Sequence, residues 1–293
     1  MTIAYVTYQD KGAHTSITVE EEDAQLLTFL NLKGLEVETV IWSDPLVDWG
    51  RYDLAILKSP WDYFDFIDAF YDWLEMLKAN KIRLLNPVDV VKWNADKHYL
   101  QDIQSAGLKV TESVFITKDQ KIDLNDYFEV FKAEKFIVKP CVSGGSKNTF
   151  KVTKANVEEL NLKIASLLTQ EDFIVQPFLT EIERDGEWSF LFFNGKFSHA
   201  LLKKPKSGDF RVQHSFGGTI HSQVPQTHLL ESTQQYVDLF AKDCLYARVD
   251  GAVINNEFVL MELELIEPFL FLDTDTNSYN NYHEALLELA LTK

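Results

Sequence analysis

The chain has 293 residues, 46% of them hydrophobic, with 45 acidic residues against 28 basic ones and a formal net charge of -17. That length supports a large core in more than one lobe. The acidic balance repels nucleic-acid backbones and anionic lipid, so no nucleic acid and no membrane is expected as a partner. Cys141 and Cys244 are the only cysteines, too few for a disulfide framework, which fits a reducing, cytoplasmic setting. Residues 1–10 read as a strand rather than a signal peptide, and no apolar run has bilayer-crossing length.

In chain order, strands are predicted at residues 3–7, 37–42, 54–57 and 83–85, with helices at 20–32 and 66–77 between them. Such alternation predicts a parallel sheet covered by helices, an α/β domain over residues 1–93. A second lobe, 94–179, opens with a helix over 96–105 capped by Asp96 and stopped by Gly107. Strands follow at Val114 and Phe115, at 136–138, 150–153 and 173–176, with helices at 124–132 and 157–168. A third lobe, 180–293, holds strands at 188–193 and 197–202, a polar loop, a helix over 229–246, two carboxylate-bearing strands, and a polar tail over 273–282 expected as a mobile loop before a last helix. The chain shows no internal repeat.

The chemistry concentrates near the C-terminus, in Ala247-Arg248-Val249-Asp250-Gly251 and Val259-Leu260-Met261-Glu262-Leu263-Glu264. Residues two apart on a strand share a face, so Glu262 and Glu264 lie together. A hairpin turning at Asn255-Asn256 would bring Asp250 beside them. Converging carboxylates on an apolar-backed sheet are costly without a cation, and hard divalent ions take such oxygen ligands. A solvated face of an acidic protein is the plainer alternative.

Four other stretches stand out. Lys139 ends an apolar strand and precedes Ser143-Gly144-Gly145-Ser146, a loop whose backbone N–H groups could cradle an anion; alone, it reads as a tight turn. It matches neither the P-loop nor the dinucleotide spacing. Lys97 sits on the predicted first helical turn, where a cation is unfavourable unless an anion is near. Gln176-Pro177-Phe178-Leu179 reads as a hinge between lobes, followed by Glu183 and Glu187. Lys203, Lys204 and Lys206 precede Arg211 and Gln213, the densest basic patch of the chain, where Arg211 could grip a carboxylate or phosphate bidentately. The seven histidines, His199, His214 and His221 among them, show no convincing metal-ligand spacing.

The ordered set Lys97, Lys139 with its small-residue loop, the 176–179 hinge, Glu187, Arg211, Asp250 and Glu262-x-Glu264 resembles the ATP-grasp superfamily, in its branch with a glutathione-synthetase-like ATP-binding domain. Ser59-Pro60-Trp61-Asp62-Tyr63 and the run from Asn86-Pro87 to Lys97 resemble the subgroup that contains the cycloserine-ring-closing ligase. The resemblance spans nearly the whole chain. It implies an ATP-grasp fold: an N-terminal parallel α/β domain (1–93), a small lobe with the phosphate-binding loop (94–179) and a C-terminal lobe with the metal site (180–293).

The resemblance also implies roles. Lys97 and Lys139 would contact ATP phosphates, Ser143, Gly144, Gly145 and Ser146 would cover them, Gln176, Pro177, Phe178 and Leu179 would read adenine, and Glu187 or Glu183 would hold the ribose. Asp250, Glu262 and Glu264 would bind Mg²⁺, with Mn²⁺ the other candidate; the commoner pattern has Asn at the last position. Arg211 and Lys139 would be catalytic, and Trp61, Asp62, Lys203, Arg211 and Gln213 would face the substrate. The implied activity is ATP- and Mg²⁺-dependent carboxylate–amine ligation through an acyl phosphate, on a small amino acid or peptide-like substrate. Ring closure or peptide modification on the same site is one alternative, and a non-catalytic nucleotide-binding regulator another. Homodimers are common in this superfamily.

Overall fold

The computed structural model describes residues 1–9, 17–206 and 217–291. The chain is a mixed α/β protein with three sheets among the described residues. The first sheet holds β1 (Thr2–Thr7), β2 (Glu36–Ile41), β3 (Leu54–Ser59) and β4 (Arg83–Leu85) in the order β2-β1-β3-β4, every pair parallel. Parallel strands are covered on both faces and therefore read as continuous apolar runs; Ile3, Ala4, Tyr5 and Val6 are all buried. Helix α1 (Ile17–Leu32) packs Leu26 and Leu30 against Ile3, Tyr5, Leu54 and Ile56. Helix α2 (Ile67–Ala79) buries Phe70, Trp73, Leu74 and Leu77. Phe70 stacks on Trp73 and meets Trp42 edge-on at 5.3 Å, the offset geometries aromatic quadrupoles favour. The aromatic face of α2 is thus core, although Phe66 remains exposed.

The second sheet is antiparallel, in the order β11-β10-β9-β12-β13, from β9 (Glu187–Phe193), β10 (Lys196–Lys204), β11 (Thr219–Gln223), β12 (Tyr246–Ile254) and β13 (Glu257–Glu264). The third is antiparallel in the order β5-β8-β6-β7, from β5 (Val114–Ile116), β6 (Lys135–Pro140), β7 (Phe150–Thr153) and β8 (Phe173–Pro177). The fold divides into two compact units, Met1–Asn94 with Glu181–Lys293, and Ala95–Thr180. The larger has a core in which α1 and the parallel sheet share one cluster with Leu191, Tyr246, Leu270, Tyr282 and Leu286. The smaller buries Phe136, Val138, Phe173 and Val175 against Leu124, Phe128, Leu160 and Ile164. Among the described residues, no helix is long and apolar enough to cross a membrane.

Several expectations need correction. Residues 96–98 form a turn, and α4 begins at Tyr99 (Tyr99–Ser105). Asp96 does not cap that helix; its Oδ1 accepts the His98 N–H at 2.9 Å and lies 2.7 Å from His98 Nδ1. This local turn outcompetes the helix, as short acidic side chains commonly do. Residues 88–94, which the sequence left without a helix, form α3 (Val88–Asn94). Helix α5 is shorter than expected (Asp126–Val130), and the predicted polar loop contains β11. The helix expected over 229–246 is α8 (Thr227–Phe240), and Tyr246 opens β12. The 273–282 stretch is not a free loop: α9 (Ser278–Leu291) begins within it, and Ser278 and Tyr282 are fully buried. Tail polarity misled here because the Ser278 hydroxyl is satisfied internally, by the Leu272 and Asp275 carbonyls.

Candidate active site

The hairpin of β12 and β13 forms as its turn sequence requires. Asn255 and Asn256 both adopt positive φ, 52° and 65°, the conformation of a two-residue type I′ turn that Asn tolerates. The ladder sets Asp250 opposite Glu262 and Arg248 opposite Glu264. On the other side Asp250 faces Ser189 of β9, and Glu187 faces Lys203 of β10. Facing residues and residues two apart share one face. Register alone therefore gathers Lys203, Glu187, Ser189, Arg248, Asp250, Glu262 and Glu264 on one side of the sheet. A register shift just after Asp250 is accommodated by Gly251: a Cβ there would lie 2.3 Å from the Val259 carbonyl oxygen and 2.6 Å from Phe258.

Side chains complete the cluster. Arg248 donates Nε at 3.1 Å to one Asp250 oxygen and its terminal nitrogen at 2.8 Å to the other, and also pairs with Glu264. Its second terminal nitrogen donates to the Phe269 carbonyl at 3.0 Å. Ser189 Oγ donates to Asp250 at 2.5 Å. Lys203, 6% exposed, bridges Glu187 and Asp250. Burial penalises the Asp250 charge, but Arg248 and Lys203 outweigh it and hold the carboxyl down at about 2. At Glu264 burial wins over Arg248, with Asp250 and Glu262 adding to it, and the carboxyl rises to about 7. Among the described residues this face brings four carboxylates, Glu187, Asp250, Glu262 and Glu264, together with the cations Lys203 and Arg248. Hard divalent ions prefer such oxygen donors as ligands. The donor set thus fits Mg²⁺ or Mn²⁺.

The cluster is braced from the N-terminal part of the same unit. Asn86 donates to the Tyr246 and Leu265 carbonyls at 2.9 and 2.8 Å. Asn94 donates to the Leu263 carbonyl at 2.7 Å and accepts the Leu265 N–H at 3.0 Å. Tyr246 donates to the Leu57 and Ile266 carbonyls. Lys58, fully buried, pairs with Glu22 at 3.3 Å and Asp23 at 3.2 Å. Glu22 accepts the Leu270 and Leu272 N–H groups at 2.8 and 3.1 Å. Segment 265–272 is irregular, yet buried side chains satisfy its backbone groups, as buried backbone requires.

In the smaller unit, Lys97 and Lys139 are both nearly buried, at 8% and 9% exposure. Lys97 Nζ donates to the Ser143 carbonyl at 2.9 Å and lies 3.3 Å from its hydroxyl, while the Lys97 N–H donates to the Cys141 carbonyl at 2.9 Å. Ser143, Gly144, Gly145 and Ser146 lie in the loop between β6 and β7, with Gly145 and Ser146 at positive φ. Gln176 is buried at the end of β8 and donates to Ser113 Oγ at 3.0 Å. Pro177, Phe178 and Leu179 follow half-buried, and the Lys135 ammonium lies 3.8 Å from the Phe178 ring centroid.

The remaining predicted residues are dispersed. Glu183 is exposed on α7 (Thr180–Arg184). Asp62 is buried and accepts the Trp42 Nε1–H at 2.6 Å. Trp61 is half-buried, with its own Nε1 lacking a partner among the described residues. Arg211 and Gln213, with His214, lie outside the described residues. His199 is buried, with Nε2 3.0 Å from the Leu270 carbonyl oxygen, and His221 is exposed beside Thr219. Sequence reasoning missed Arg248, Ser189 and the Asn86, Asn94 and Lys58 braces. The spacing Arg248-x-Asp250 could have flagged the first, and a lysine inside the apolar strand Leu54–Ser59 the last. The partners of Asn86 and Asn94 lie 160 to 179 residues away, beyond any local pattern.

Comparison with known proteins bears on this arrangement. Residues 103–268 match the family model of the prokaryotic glutathione synthetase ATP-grasp domain, and residues 3–86 that of the N-terminal domain of D-cycloserine synthetase DcsG. The cycloserine biosynthesis protein DcsG of Streptomyces lavendulae is 28% identical over 192 residues, a match spanning 64% of each chain. The crystal structure of D-cycloserine synthetase DcsG superposes with a TM-score of 0.86 at 24% identity, over 99% of this chain and 100% of that one. D-alanine–D-alanine ligase from Bacillus anthracis, complexed with ATP, gives 0.72 at 14% identity, over 99% and 97%. The ATP-grasp ligase PsnB complexed with a precursor peptide gives 0.63 at 14%, over 98% and 97%. With more than half its length matched by one family model, this chain belongs to the ATP-grasp ligases of the glutathione-synthetase-like branch.

Proposed function

We propose that the protein is an ATP- and Mg²⁺-dependent ligase that joins a carboxylate to an amine, or to a related nitrogen, through an acyl phosphate. The substrate is a small amino acid or a peptide-like molecule. The observation that carries the reading is the sheet face that gathers four carboxylates, Glu187, Asp250, Glu262 and Glu264, around Arg248 and Lys203. Asp250, Glu262 and Glu264 would hold the metal, which neutralises phosphate charge while a phosphoryl group transfers. Lys97 and Lys139 would bind phosphate oxygens, with Ser143, Gly144, Gly145 and Ser146 covering them and excluding water. Gln176, Pro177, Phe178 and Leu179 would take the adenine, and Glu187 or Glu183 the ribose. Arg211 and Gln213, with Trp61, Asp62 and Lys203, would meet the substrate. Lys203 and Arg248 then act by holding Asp250 ionised.

The domain reading goes with it: 1–93, 94–179 and 180–293 as N-terminal domain, small lobe and C-terminal lobe. A small substrate, and ring closure among its reactions, is supported by the likeness of both parts to DcsG; the PsnB likeness supports a peptide. Cytoplasmic location and a homodimer belong to the same proposal.

The test is a thermal-shift titration with a non-hydrolysable ATP analogue, with and without Mg²⁺, followed by phosphate release over a panel of amino acids. A ligand that binds only the folded state raises Tm by mass action. A magnesium-dependent rise and hydroxylamine-trappable product support the reading. No shift at millimolar nucleotide sinks it.

A further inference from the structure

The smaller unit carries a group of side chains that the ligase reading leaves unused. One carboxylate oxygen of Asp96, one ring nitrogen of His98 and the Cys141 sulfur lie within 4.8 Å of one another. We propose that Asp96, His98 and Cys141 form a second metal site, for a thiophilic transition ion such as Zn²⁺, with water as the fourth ligand.

The donor set selects the ion. A thiolate and an imidazole prefer borderline-soft metals, whereas Mg²⁺ seeks oxygen donors alone. A tetrahedral ion with bonds of about 2.0–2.3 Å keeps its ligand atoms about 3.5 Å apart. Side-chain rotations of about an ångström therefore convert the trio into a coordination shell.

The backbone is already fixed for this. The Lys97 N–H donates to the Cys141 carbonyl at 2.9 Å, which ties the 96–98 turn to the end of β6. The Cys141 N–H donates to the Asp172 carbonyl at 2.9 Å, and the His98 ring stacks on Phe115 at 4.3 Å. Such outer contacts orient metal ligands. Cys141 is buried while Asp96 and His98 are half-exposed, so an ion enters from the solvent side and meets the sulfur last. Lys97 and Lys139 stand near the thiol and oppose a cation; Asp96 and Asp172 offset them. Burial keeps the thiol protonated. Capture therefore forms one sulfur–metal bond and releases one proton to solvent.

The experiment uses the full chain, stripped with chelator, kept reduced and titrated with Co²⁺. A sulfur-to-cobalt charge-transfer band should grow to one equivalent and vanish on adding Zn²⁺. Cys141→Ser should abolish it, and Cys244→Ser, the only other cysteine, should leave it intact. His98→Gln and Asp96→Asn, at half-exposed positions, should weaken Co²⁺ at least about tenfold with unchanged circular dichroism. No band in the folded wild-type chain, or a band that survives Cys141→Ser, overturns the site. The readout needs no nucleotide, so it stands apart from the ligase reading.

Discussion

The β12–β13 face and the β6–β7 loop solve opposite problems. On the hairpin face the central charge is matched before any ligand arrives: Asp250 takes hydrogen bonds from Ser189, Arg248 and Lys203, and remote asparagines fix the strands that carry it. The loop after β6 is organised locally. Its backbone makes turns, Lys147 N–H to Gly144 and Thr149 N–H to Ser146 at 3.0 and 3.2 Å, and Lys97 reaches its start at Ser143. Buried like charges must be organised by folding itself, since an unpaired one costs several kcal/mol. A glycine-rich loop can leave its final shape to the ligand. The hairpin should therefore report on stability, and the loop on turnover.

The largest effect that would break this contrast is at Gly251. Gly251→Ala forces a Cβ to 2.3 Å from the Val259 carbonyl oxygen, which cannot yield without disturbing the ladder. A loss of at least about 3 kcal/mol is expected, measured by urea unfolding. Asp250→Ala comes next. It leaves Arg248 and Lys203 buried with fewer partners, so unfolding should cost about 3 kcal/mol less, a fall in Tm of roughly 6–12 °C.

Lys139→Met, in the smaller unit, should change stability by no more than about 1 kcal/mol. It should lower turnover at least about a hundredfold, as removal of one preorganised charge donor does. A stable variant with near-normal turnover would reverse the assigned roles.

The smallest effect is pH-dependent. The Glu264 carboxyl is raised from 4.5 to about 7 in the fold. Between those values the folded chain binds more protons than the unfolded one, so stability falls as pH rises through that window. Its side chain is 28% exposed, so the fall should be about 1–2 kcal/mol. Glu264→Gln should flatten the Tm profile between pH 5 and 8 measured without divalent ions; an unchanged slope assigns the dependence elsewhere.

The sequence by itself determined the local pieces. Apolar runs gave the parallel strands, Asn255-Asn256 gave the hairpin, and the alternation of Glu262 and Glu264 put two acids on one face. These follow from periods of two and 3.6 and from backbone preferences, which neighbours along the chain decide. Only the tertiary structure decided what those acids meet. Arg248 lies two residues from Asp250, yet its value as a partner depends on β13 bringing Glu264 opposite it. Lys58 is an oddity in an apolar strand until α1 supplies Glu22 and Asp23. Asp96 is a helix cap by local rules, but the pull of His98 makes it a turn. Buried charge and hydrogen-bond pairing are set by groups distant in sequence, and local pattern carries no record of which ones will meet.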